Sequence, residues 1–184
     1  AGSGLGDPLN VAIVATPIAL RRALLRSQWQ ETQSGSDEGT LARQHYFDGR
    51  VPDGTFHKAR PDGSERKELR IWLSPIRLGE VPVWLAQASY DISARNRSRS
   101  FKDYQIDPDV DDARIFLLQS FWYGQSLERF GLSGGVPAAT IDAPSQNFLG
   151  SNWFTDGKRI VMFVAEEPVA MDETEILVWE QYLD

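Results

Sequence analysis

Two neighbouring stretches constrain the fold most: Leu69–Ile76, "LRIWLSPI", and Val81–Ile92, "VPVWLAQASYDI". In the first, Leu69, Ile71 and Leu73 fall on one side and Arg70 and Trp72 on the other. That period of two belongs to a strand whose faces meet different surroundings. The intervening "RLGE" suits a hairpin. A hairpin alone is barely stable in water, so its apolar side needs further strands or helices.

The flanking sequence supplies them. "NVAIVAT" (Asn10–Thr16) is short, apolar and rich in β-branched residues, as in a buried strand. Thr16 can cap a following helix with Pro17 at its first position. Ile18, Ala19, Leu20, Ala23, Leu24 and Trp29 fall near helical spacing, and Arg21, Arg22 and Arg26 can face water. A second helix is signalled by Asp107 as cap and Pro108 in the first turn. Asp109, Asp111 and Asp112 then sit near the positive end of its dipole. Val110, Ala113, Leu117 and Phe121 form its apolar stripe. "RIVMFVAEE" (Arg159–Glu167) reads as a closing strand.

Strand, helix, strand, strand, helix, strand is the split βαβ order. The expectation is one α+β domain over residues 1–184. It would be a two-layer sandwich, ferredoxin-like or related, with two helices on one face of an antiparallel sheet. Loop-rich insertions are placed at Gln30–Glu65 and Leu127–Lys158. Residues 1–9 read as a flexible N-terminus, and 168–184 as an acidic, partly apolar tail that docks back on the domain.

Composition excludes several functions. There are 19 basic against 26 acidic residues, net −7, which argues against binding nucleic acid. Cysteine is absent, so there is no disulfide framework and no thiolate zinc site. No apolar run approaches the roughly 20 residues of a transmembrane helix. No cofactor is expected: "GSGLG" precedes the first strand, whereas a dinucleotide fingerprint follows one. "GLSGG" (Gly131–Gly135) lacks the preceding strand of a nucleophile elbow. No metal site is expected either. His45 and His57 are too far apart for a helical pair, and "DPDVDD" lacks the glycine of a calcium loop.

Two charged groups remain. Arg95, Arg97, Arg99 and Lys102 form a basic run that suits peripheral membrane contact, at roughly 1 kcal/mol per basic residue on an anionic surface. The commoner meaning of such a run is a solvated loop. Arg70, Asp91, Asp111 and Arg114 are expected to meet where the central strands approach the second helix. Two arginines with two aspartates can clamp an anionic ligand, or form a purely structural ion-pair network.

"GDPLNVAIVAT", "YFDGRVPDGTFHK", "LRIW", "VPVWLAQASYD", "IDPDVDDAR" and "FTDGK" occur in an order that resembles the bacterial LssY C-terminal domain family, from Gly6 to about Val164. Some relatives are fused to membrane-embedded domains, DedA-like or lipid-phosphatase-like, so the resemblance implies envelope-associated or periplasmic work. It also implies two histidine-rich motifs, HHxRxW and THHIDPDVDAERD. The first reads "KELRIW" here, with Lys67 and Glu68 in the histidine positions. The second reads "DYQIDPDVDDAR", with Tyr104 and Gln105 in place of the pair and Ala113 where an acid is usual. Arg70, Trp72, Trp84, Asp91, Asp107, Asp111 and Arg114 are kept. If those histidines bind metal or move protons in relatives, this chain has lost them. The expected function is a non-enzymatic accessory or binding domain that recognises a protein partner or an anionic ligand. The alternative is a metal-assisted hydrolase of phosphate esters, here degenerate.

Overall fold

The computed structural model describes residues 6–32, 46–59, 66–92 and 105–178. The strands are β1 (Val11–Val14), β2 (Gln30–Glu31), β3 (Gly54–Ala59), β4 (Arg66–Leu78), β5 (Val81–Asp91), β6 (Leu127–Gly134), β7 (Ser145–Gln146), β8 (Asn152–Trp153), β9 (Lys158–Val164) and β10 (Glu175–Leu177). The α-helices among the described residues are α1 (Pro17–Arg26) and α2 (Val110–Tyr123). Eight strands form one sheet in the order β10-β6-β9-β1-β5-β4-β3-β2, and β7 and β8 pair separately.

The class is α+β, as expected, but the sheet is mixed and larger than the sequence suggested. β1 runs parallel to β9 and β6 parallel to β10, while the other neighbours in the sheet are antiparallel. The strand that follows α2 is β6, and β9 inserts between β6 and β1. Removing β9 leaves β6, β1, β5 and β4, the neighbour order of the split βαβ pattern.

β6 lies inside a segment expected to be mostly loop. A register shift between Leu127 and Arg129 explains why. The extra residue turns both Leu127 and Phe130 toward the core, so "LERFGLSG" does not alternate. β3 was likewise masked by its surroundings. It emerges from a turn in which Asp48 and Gly49 both take positive φ, 51° and 73°.

One face of the sheet carries both helices. Val11, Ile13, Leu69, Ile71, Trp84, Ala86, Ile160 and Met162 form one buried cluster with Ala19, Leu20, Ala23 and Leu24 of α1 and Ala113, Leu117 and Phe121 of α2. Thr16 caps α1, its hydroxyl accepting from Ala19 N–H at 3.1 Å. Asn10, fully buried, clamps β1 to β5 and α2. Its amide donates to Ala88 O and Val110 O at 3.0 and 2.9 Å and accepts from Ala88 N–H at 2.9 Å. The predicted burial of Trp72 and Trp84 in the sheet is met, each indole N–H donating to a backbone carbonyl, Arg50 O and Ala15 O.

Candidate functional site

The predicted quartet falls into two separate clusters. At the start of α2 the cap is Asp109, two residues later than expected. Asp109 Oδ1 accepts from Asp111 N–H at 3.1 Å, and Asp107 Oδ1 accepts from Asp109 N–H at 3.2 Å. Pro108 is extended chain before the cap, its carbonyl accepting from Phe154 N–H at 2.8 Å. Asp111 reaches the "FTDGK" turn: it accepts from the Thr155 hydroxyl at 2.6 Å and from Asp156 N–H at 2.8 Å. Arg114, only 3% exposed, forms a two-pronged pair with Asp156 at 2.9 and 2.8 Å and touches Asp111 at 3.0 Å.

Arg114's hydrogen bonds hold the Asp156 carboxyl below the ordinary aspartate range. Partial burial, with Asp109, Asp107 and Asp111 alongside, pushes Asp112 up. These acids start the helix and fasten it to the 154–157 turn, which is the work of a structural staple.

The second cluster lies on the opposite face of the sheet. Arg66 pairs in register with Asp91, Glu68 with Ser89 and Arg70 with Gln87, so six polar side chains share that face. Glu68 is bracketed, one oxygen taken by Arg66 and the other by Arg70. Arg66 also reaches Asp91 at 3.7 Å. Arg70 is 1% exposed and Glu68 4%, whereas the side chains of Arg66 and Asp91 keep 17% and 16%. The Ser89 hydroxyl, buried in the same face, has no hydrogen-bond partner among the described residues.

Asp7 approaches this face from the N-terminal segment and accepts from the Asn147 amide at 2.7 Å. Burial pushes its carboxyl up, opposed by the Asn147 bond and, more weakly, by the Arg70 charge and by Gln87. Sequence reasoning missed Arg66, Asp7 and Asp156. The alternation of "RKELR" places Arg66, Glu68 and Arg70 on one side and was a usable signal for the first. Asp7 and Asp156 stand in the motifs "GDPLNVAIVAT" and "FTDGK", but nothing local points to their partners, which are remote in sequence.

Among the described residues no ion pair joins Arg70 or Asp91 to Asp111 or Arg114. The first motif's histidine positions hold different contacts. Lys67 turns toward the helices with its ammonium 5.0 Å from the Tyr90 ring and 4.6 Å from Phe116, and Glu68 faces the other way. Gln105 lies at the same end of β5, its carbonyl accepting from Ile92 N–H at 2.9 Å. Tyr104, His45 and the basic run Arg95–Lys102 lie outside the described residues. His57 is on β3 and bonds Thr32 at 3.1 Å.

Among the described residues no three histidine or carboxylate side chains converge as cation ligands. No described helix is long and apolar enough to cross a membrane.

No curated protein and no solved structure matches the chain. The sequence pattern of the LssY C-terminus family matches residues 42–158, from before β3 to the start of β9. That span is more than half of the chain and contains β4, β5, α2 and the residues of both charged clusters except Asp7, so the chain belongs to the LssY C-terminus family.

Proposed function

We propose that this chain is a non-enzymatic binding domain of the bacterial envelope and that it recognises a protein partner through the row Arg66, Glu68, Arg70 and Asp91. One observation carries this reading: four charges are lined up across two strands on the face away from the helices. Apolar residues there would be at least as stable, because desolvating an ion pair offsets most of its attraction. A retained buried row therefore suggests a role in recognition. Its two arginines and two carboxylates neutralise one another, which favours a partner of alternating charge over a small anion. Arg66 and Asp91 reach the surface and would make the contact, with Arg70 and Glu68 positioning them. Arg114 and Asp111 are left to structure.

The test places a photo-crosslinking amino acid at His57, beside Glu68 in register and partly exposed, in cells expressing the protein. A discrete adduct is expected, lost in Arg66→Glu while the melting curve is kept. Equal adducts from Ile18 on the exposed face of α1, or none at position 57, would remove the reading.

A second reading, hydrolysis of phosphate esters, is supported by Asp7, a carboxyl pushed up by burial near Arg70. Hydrolysis of para-nitrophenyl phosphate, with and without divalent cations, that falls at least tenfold in Asp7→Asn would favour it. Background rates under every condition would exclude that generic activity.

A further inference from the structure

α1 and α2 end side by side, and an open cleft of about 260 Å3 lies at their ends. Ser27 Oγ donates across to Ser120 O at 2.9 Å. Gly124 permits that approach, since a Cβ there would stand 2.8 Å from Ser27 Oγ. Lys58 reaches in from β3 and donates to Ser27 O at 3.0 Å, its ammonium 5.7 Å from the Phe116 ring. Lys67 stands over the same ring at 4.6 Å. Arg26 gives Nε to Ser126 Oγ at 3.2 Å and is joined to no carboxylate among the described residues.

The charge balance of the cleft is unusual for a chain of net charge −7. Among the described residues no aspartate or glutamate lines it. Each helix C-terminus contributes roughly −0.5 of a charge, about −1 together. Arg26 and Lys58 formally contribute two positive charges, so an excess of about one remains. The volume lies just below the roughly 300–1,000 Å3 of pockets for drug-sized ligands, which suits a small molecule.

We propose that this cleft binds a small organic anion, its carboxylate or phosphate held by Lys58 and Arg26 and its body resting on Phe116 and Tyr123. Gln28 and Gln119 lie at the cleft to donate to the same anion. The site lies on the helix-bearing face and does not depend on the row at Arg66. Burial, with the Lys67 charge beside it, holds the Lys58 ammonium below the ordinary lysine value. A bound anion removes that penalty.

The experiment is calorimetric titration of the full chain with benzoate, phenyl phosphate and inorganic phosphate, with benzamide and benzamidine as neutral and cationic controls. Saturable binding of at least one organic anion is expected, weakened at least tenfold in Lys58→Met. Gln119→Glu places an acid on the exposed rim of the cleft without touching the core, and should weaken binding at least fivefold with an unchanged melting curve. A preference of benzoate over phenyl phosphate, or the reverse, identifies the anionic group. Three outcomes would overturn the proposal: no saturable anion binding, equal affinity in both variants, or tighter binding of benzamidine. The last would mean that the helix C-termini outweigh the cations.

Discussion

Asp7 and Asp156 show how burial and pairing push the same side chain in opposite directions. Asp7's folded value lies above its ordinary 3.8, so its protonated form favours the fold. That contribution is complete below 3.8 and is lost as pH rises through the raised value. Asp7→Asn should therefore gain stability over wild type as pH rises through that window, and gain nothing at its acid end. Asp156 has the reverse sign. Its contribution is present above 3.8 and is lost as pH falls through the depressed value. Asp156 is 44% exposed, so after solvent screening Asp156→Asn should cost only about 1 kcal/mol at pH 7, with the gap closing in acid. Thermal melts of the three proteins from pH 3 to 8 check both signs. A neutral-pH gain in Asp156→Asn, or a loss in Asp7→Asn, would contradict the assignments.

At the scale of elements, the helix starts were legible because capping is local. Thr16 and the aspartate cluster announced α1 and α2 within a few residues. The cap was read two positions early because Asp-Pro and Pro-Asp-Val both fit a helix start, and only the chain crossing at Phe154 selects Asp109. Asp109→Ala should cost about 1 kcal/mol in urea unfolding. A cost below a few tenths would move the cap back to Asp107. In the core, Leu117 and Phe121 are fully buried against the sheet, so alanine at either should cost about 2–5 kcal/mol. β6 was illegible for the opposite reason. Its bulge breaks the two-residue period, and its pairing with β9 depends on residues about 30 positions away in the chain.

For the molecule as a whole, the described part of the tail docks as expected and forms the edge of the sheet. Val169 N–H donates to Gln125 O, Thr174 Oγ1 to Leu127 O and the Trp122 indole N–H to Met171 O, and β10 then pairs with β6. Truncation after Glu167 should uncover the β6 edge beside Trp122 and Phe130 and raise self-association in light scattering. An equally dispersed, equally stable truncation product would show that the tail is dispensable.

The helices, the central hairpin and its alternating faces were readable in the residues themselves, since caps, helical stripes and strand alternation act over a turn or a few residues. The α+β class follows from that local order, and the resemblance to the family rests on the quoted motifs and their order along the chain. Where the strands sit, and which charges meet, did not follow. The insertion of β9 between β6 and β1 and the Asn10 clamp to Ala88 and Val110, 78 and 100 residues away, are closures across long loops. So are the attachments of Asp111 to Thr155 and of Arg114 to Asp156, at separations of 44 and 42. Such contacts form only when burial of the shared core offsets the entropy of closing the chain. That is why Arg70 and Arg114, expected in one cluster, lie in two.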